Sequence, residues 1–161
     1  MQNKFSWKKG LFSSLYKIYS NGQQIGILKD KMFSQTSNGE INGEKYTFKT
    51  KGIFKQHTEI IDNQEEKVIG QISYNNWMTK ATISIFDKTF IWKYENIWNT
   101  KWSVIDSEGN SINYTGDSTS GKIESTLEDD LLLLTGLFVT NYFWQITIVI
   151  IFIIFIPMWN F

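Results

Sequence analysis

The feature that most constrains this chain is an internal period of 44 residues. Ile25-Gly26 recurs as Ile69-Gly70, Phe33 as Trp77, and Ile41 as Ile85. Tyr46, Phe48 and Lys49 recur as Phe90, Trp92 and Lys93, and Gly52, Ile53 and Phe54 as Asn96, Ile97 and Trp98. Ile60-Ile61-Asp62 then recurs as Val104-Ile105-Asp106, after which a third copy loses register, although Gly109 and Ile112 continue it loosely. Self-similarity at a fixed spacing marks a fold assembled from repeated supersecondary units. Large apolar residues replace large apolar residues at each step, so the repeat is one of core positions.

Within each unit the pattern is that of strands. Ala81, Ile83 and Ile85 alternate with Thr82 and Ser84, and Phe90, Trp92 and Tyr94 alternate with Ile91 and Lys93. A period of two places one set of side chains on one sheet face. Asn42-Gly43 signals a two-residue hairpin, because both central positions of that turn need positive φ. Asn21-Gly22 and the run 107–110 are further turn clusters. Strands are expected over 15–20, 24–29, 45–50, 58–62, 67–74, 80–86, 89–95, 101–106, 111–115 and 121–125, with a weaker one near 38–42. A period in the forties also suits propeller blades, but two and a half blades close no ring. An open sheet of this length exposes two edges, which native proteins avoid. A closed antiparallel β-barrel is the simplest solution.

From Leu131 to Ile156 no residue is charged. As a helix this run is about 39 Å long, more than a bilayer's hydrocarbon core of about 30 Å. A helix apolar on every side is surrounded by protein or by lipid. Residues 131–145 mix Leu with Thr135, Gly136, Thr140, Asn141 and Gln145; the last two, four apart on one helical face, suit hydrogen bonds to backbone groups of a surrounding sheet. Residues 146–156 are Ile, Val and Phe apart from Thr147, and Trp159 beyond Pro157 suits a membrane interface. Eleven such residues are too few to span a bilayer, so a membrane helix has to draw on residues from about Leu137. Both surroundings remain open on the residues alone.

The two strand-rich units with Ile-Gly turns, the Phe48-Lys49 and Trp92-Lys93 strand ends, the segment from Trp102 to Asp106 and the run from Leu131 to Phe138 together resemble the tubby C-terminal-like superfamily, in its LURP-one-related and phospholipid-scramblase-like branch. The resemblance runs from about Tyr16 to Trp144 and rests on the whole pattern. It implies a twelve-stranded barrel wrapped around a hydrophobic C-terminal helix. In that arrangement Leu131, Leu132, Leu133, Leu134, Leu137, Phe138, Asn141 and Gln145 form the core of the central helix, which starts near residue 128. It divides the chain into an N-terminal segment 1–14, a barrel 15–145 and a hydrophobic extension 146–161. Members of the superfamily are linked to phosphoinositide binding, lipid scrambling and defence responses. The extension outruns what a plug needs, and the scramblase calcium-binding segment has no counterpart, because Asp129-Asp130 is not a spaced acidic loop.

Composition narrows the chemistry. There is no cysteine, which removes disulfides, thiolate-bound metals and thiol nucleophiles. The single histidine, His57, matches Lys101 in the repeat and suits an exposed strand start. All 16 basic residues are lysine, so bidentate guanidinium recognition is absent. Net charge is zero, but residues 1–55 carry ten Lys against Asp30, Glu40 and Glu44, and the remainder carries the opposite excess. Lys4, Lys8, Lys9, Lys45, Lys49 and Lys51 are therefore candidates for lipid headgroups, set against ordinary solvated strand faces. Trp7, Leu11 and Leu15 share a helical stripe, so the N-terminal segment is either interfacial or a first strand of the barrel. Phe33, Trp77, Phe48, Trp92, Trp98 and Trp102 are expected inside strands as core, which argues against base stacking and nucleic acid. No phosphate loop, nucleophile elbow or metal-ligand spacing is present. The expectation is a non-enzymatic barrel, without cofactor or metal, held to membrane lipid with the barrel on the cytoplasmic side. The alternative is a soluble cytoplasmic barrel with a wholly buried helix.

Overall fold

The computed structural model describes residues 1–156 apart from Phe12, Phe33 and Phe54; Trp159 and its suggested interfacial role lie outside the described residues. Twelve strands form one closed antiparallel barrel, each paired with its chain neighbours. They are β1 (Asn3–Lys8), β2 (Leu15–Ser20), β3 (Gln23–Lys29), β4 (Thr36–Ile41), β5 (Glu44–Lys51), β6 (His57–Asp62), β7 (Lys67–Tyr74), β8 (Lys80–Ile85), β9 (Lys88–Tyr94), β10 (Lys101–Ile105), β11 (Ser111–Gly116) and β12 (Ser120–Ser125). Helix α1 (Asp130–Phe155) runs through the middle. β1 pairs with both β12 and β2, so no strand edge is left open.

The barrel therefore begins at Asn3, not at Leu15, and the N-terminal segment is a strand, with Trp7 buried in the wall. Its sequence explains the position. Phe5-Ser6-Trp7-Lys8 repeats Tyr46-Thr47-Phe48-Lys49 and Phe90-Ile91-Trp92-Lys93. Phe48 lies opposite Ile60, Trp92 opposite Val104, and Trp7 opposite Ile18. On the other side the same three aromatics face Ser37, Ala81 and Gly121, small residues that leave room for a large ring. The barrel is thus three four-stranded units, β2–β5, β6–β9 and β10–β12 with β1. The third unit is completed by the strand at the opposite end of the chain.

The turns follow their chemistry. Asn42 and Gly43 have φ of 48° and 87°, the paired positive values that a two-residue hairpin with right-handed strand twist requires. Strand β8 ends one residue sooner than expected: Phe86 has φ of 51° and is exposed in the β8–β9 turn.

Helix α1 starts at Asp130, two residues later than expected, with Asp129 as N-cap accepting a hydrogen bond from the Leu132 amide at 3.2 Å. Leu131 through Val139 are buried, together with Asn141 and Phe143. Phe138 stacks on Phe48 with centroids 4.6 Å apart, and Phe143 sits 5.2 Å from Trp92. At Gly136 the helix packs tightly on the wall: an added Cβ would lie 2.2 Å from the Tyr114 hydroxyl. That hydroxyl donates to the Leu132 carbonyl at 2.9 Å. Burial on this scale, in small irregular contacts rather than one amphipathic stripe, is how an all-apolar helix is accommodated inside a barrel wall.

Candidate functional site

The helix enters the barrel at one end and leaves at the other, and the two ends differ in chemistry. At the entry end Asn42 donates to the Asp130 carboxylate at 2.6 Å. The turns and strand ends here carry Glu44, Asp62, Glu65, Glu66, Asp87, Asp106, Glu108, Glu128, Asp129 and Asp130 against Lys67 and Lys88. At the exit end the corresponding residues are Lys8, Lys9, Lys29, Lys31, Lys51, Lys55, Lys80 and Lys101 against Asp30, Glu95 and Asp117. The charge asymmetry is axial. In sequence it shows only faintly, as a basic first third, because successive connections alternate between ends.

Of the lysines singled out from the sequence, the structure brings Lys8, Lys9 and Lys51 to the exit end. Lys4 and Lys45 lie near the entry end, and Lys49 points outward from the wall between them. Lys51 is held by Glu59 at 2.7 Å. Lys9 is half-buried, with its ammonium 4.6 Å from the Trp144 ring centre and 5.1 Å from that of Tyr16. Desolvation lowers its pKa below the usual lysine value.

Around the exit, five of the six connections present an exposed apolar side chain. They are Leu11 after β1, Met32 after β3, Ile53 after β5, Trp77 after β7, and Ile97 with Trp98 after β9. Trp77 and Trp98 are 83% and 77% exposed, which corrects their expected place inside strands; Phe48, Trp92 and Trp102 are core as expected, and Phe33 is outside the described residues. The two tryptophans sit in separate connections built in the same way. Asn75 and Asn96 each accept from the amide four residues on, at 2.9 and 3.0 Å, and their side-chain NH2 groups donate to Thr79 and Thr100. The signal was present in the sequence as Asn-x-Trp-x-Thr-Lys at 75–80 and 96–101, spaced by 21 residues and so hidden by the longer period.

Through this ring the helix emerges. Trp144 is 40% exposed, and Ile150 through Ile156 are between 40% and 65% exposed. The helix is therefore not wholly internal, and Leu137, Phe138 and Val139 are already committed to the barrel core. The emergent stretch 146–156 amounts to about 16 Å of helix, close to the thickness of one leaflet's hydrocarbon. By length and composition α1 is apolar enough to cross a membrane, with a mean hydropathy of 2.1 over an 18-residue window of which 28% is buried.

The mouth also holds a polar knot in which Asn141 and Gln145 meet Asp30, an acid that the sequence pattern does not mark. Asp30, just beyond β3, is 9% exposed and accepts from Ser37 at 2.5 Å, from Asn141, and from Gln145 at 2.9 Å. Asn141 and Gln145 thus share a carboxylate, where backbone partners were expected. Asn141 in turn accepts from the Tyr16 hydroxyl at 3.3 Å. Burial raises the Asp30 pKa above the ordinary carboxylate value, and the hydrogen bonds from Ser37, Asn141, the Lys31 backbone and Gln145 oppose it. The knot fixes how far the helix protrudes. His57 starts β6 at this end, partly exposed and matched to Lys101 at the start of β10. No protein-family model, curated protein or solved structure matches the chain.

Proposed function

We propose that this protein is a non-enzymatic, membrane-associated barrel that binds or anchors to lipid at its exit end, with the barrel in the cytoplasm. The observation that carries the reading is the coincidence, at one end of one barrel, of an emergent apolar helix, a ring of exposed apolar loop residues and an excess of lysine. Each alone has an ordinary explanation. Together they match a surface that meets hydrocarbon at its centre, the interfacial zone around it and anionic headgroups at its edge. The acidic entry end would then face away from the membrane. The resemblance to tubby-like and scramblase-like proteins, whose members are linked to lipids, is in keeping with this orientation.

The test is fractionation and vesicle flotation of the full chain and of a form ending at Gln145. The full chain is expected in the membrane fraction, and the shortened form is expected to retain the barrel but to bind vesicles more weakly. Full solubility of both forms as monomers overturns membrane anchoring.

A further inference from the structure

Between the emerging helix and the β1–β2, β9–β10 and β11–β12 connections lies a cavity of about 470 Å³. Trp7 and Trp102, 2% and 3% exposed, line it with ring centroids 6.1 Å apart. Both indole Nε1 atoms are buried without a hydrogen-bond partner among the described residues. An unpaired buried N–H costs roughly 1–3 kcal/mol, so such groups normally have partners. The barrel's own repeat sharpens the point. Trp92, equivalent to Trp7 in the preceding unit, donates to the Gly136 carbonyl at 3.1 Å. In the third unit the helix offers no such carbonyl, and the cavity stands beside the orphaned indoles instead.

Of the other polar groups, Tyr94, Asn99, Thr100 and Ser118 add hydroxyls and one amide to the lining, and the rest are a cation or are engaged within the chain. Lys9 contributes a desolvated ammonium over Trp144 and Tyr16. The Thr140 and Thr147 hydroxyls donate to carbonyls of their own helix. Asp117 has its carboxylate turned to the amides of Thr119 and Ser120 at 2.8 and 3.0 Å. A guest that pairs with the two indoles and with Lys9 must bring acceptors, and a negative charge on its head matches the ammonium, with the Asp117 carboxylate held by its own turn. The rim is apolar, formed by Leu11, Trp98 and Trp144, and continues onto the exposed helix. The volume falls in the lower part of the range for small-ligand sites, enough for one head and the start of one chain.

We propose that this cavity binds a single-tailed anionic amphiphile, a long-chain carboxylate or phosphate monoester. Its head lies inward against the Trp7 and Trp102 indoles, and its tail runs outward along Trp144. The donors select the anion, and the apolar rim selects the tail. The choice of an amphiphile over a free anion rests on the membrane orientation proposed above.

The experiment uses the 15N-labelled full chain in non-ionic detergent micelles, following the indole N–H signals of its seven tryptophans. Trp7→Phe and Trp102→Phe identify the signals of the two unpaired indoles. On titration with dodecanoate or monododecyl phosphate both are expected to move downfield and saturate, as newly formed hydrogen bonds require. Lys9→Gln is expected to weaken that binding about tenfold, the loss of one charge-assisted contact. Dodecanol, acetate and inorganic phosphate are expected to leave the two signals in place. Equal shifts with dodecanol reduce the site to an apolar cavity, and equal shifts with acetate or inorganic phosphate make it a small-anion site; either overturns the proposal. So does an absence of shifts with both amphiphiles. If a tryptophan variant fails to fold, an amphiphile affinity unchanged in Lys9→Gln, which lies in a connection outside the strands, overturns it equally. Micelles hold no bilayer, so failure here leaves the flotation result intact, and failed flotation leaves this binding measurable.

Discussion

The Trp92 indole donates to the carbonyl of Gly136 at 3.1 Å, tying the barrel wall to the one helical residue that has no side chain to hold the wall away. Tyr114, two strands away on β11, reaches the preceding turn, its hydroxyl lying within donating distance of the carbonyls of Leu132 and Leu133 at 2.9 and 3.2 Å. These bonds, between an apolar helix and an aromatic wall, set the depth and rotation of α1. An all-apolar helix has no stripe of its own to specify them.

Gly136→Ala is accordingly expected to destabilise the fold by about 1–3 kcal/mol, the range for overpacking a dense core. The added Cβ would meet the Tyr114 hydroxyl at 2.2 Å and its Cζ at 2.4 Å, and the ring is fully enclosed. Equilibrium denaturation measures this as a lower midpoint. A midpoint at or above that of the parent would mean that the helix is not gripped here.

Trp92→Phe is expected to cost less, about 1 kcal/mol beyond the lost ring area. The Gly136 carbonyl also accepts from the Thr140 hydroxyl at 2.8 Å, so it is not left unpaired. In the double variant Trp92→Phe/Thr140→Val that carbonyl loses both side-chain partners. A cost clearly greater than the sum of the two single changes, measured by the same denaturation, would establish the sharing.

Asp30 makes the mouth sensitive to pH with a definite sign. Burial raises its pKa above 3.8 in the folded chain, so the native state holds this proton where the unfolded chain has released it. Its contribution to stability falls as pH rises from 3.8 through the folded value and is level above. Asp129, also raised chiefly by burial, acts in the same direction. Asp106 and Asp117, lowered by hydrogen bonds from their own turns, act oppositely as pH falls through their folded values. Comparing the parent with Asp30→Asn cancels these other groups. On acidification from about pH 7 to about pH 4 the parent is expected to gain stability relative to the variant. A difference that does not change with pH would remove Asp30 as the source.

Much of this architecture was legible in the residues. The alternation in 80–94 and the repeated Ile-Gly and aromatic-Lys pairs point to hairpins and closure, because core positions of repeated units obey one spacing. What escaped was whatever the spacing does not govern. Phe5-Ser6-Trp7-Lys8 is the third copy of a motif, but it stands before the first and so outside the 44-residue spacing. Large aromatics at repeat positions are usually buried, so the pattern alone points Trp77 and Trp98 to the core. In fact the repeat carries loops as faithfully as strands. Asp30 sits between two lysines as an ordinary surface acid would, and only the closed barrel reveals that Asn141 and Gln145, more than a hundred residues later, converge on it.

If the exit end meets a membrane, its affinity has two separable parts. Trp77→Ser with Trp98→Ser, leaving the helix intact, is expected to weaken binding to anionic vesicles about tenfold through lost interfacial area. Lys31→Gln with Lys55→Gln is expected to act through charge, at roughly 1 kcal/mol per lysine on an anionic surface. Raising salt should diminish the lysine effect and leave the tryptophan effect. Flotation with neutral and anionic vesicles reads both. Equal binding of all variants would place the lipid contact elsewhere.

Strand β1 closes the ring, and its removal tests whether the third unit is real. A chain beginning at Lys9 loses the pairing of 3–8 with both β12 and β2, leaving two facing edges without partners. It also loses Trp7, and deletion of a buried large aromatic typically costs about 3–5 kcal/mol. The shortened chain is expected to aggregate or to unfold at lower denaturant, since exposed edges recruit other strands. A peptide of residues 1–9 added in trans should restore the parent's denaturation midpoint, because the gap between β12 and β2 fits one antiparallel strand. The same peptide with Trp7→Ser should not. A shortened chain that remains monomeric with an unchanged midpoint would show that the barrel closes without β1 and that the aromatic at position 7 is dispensable.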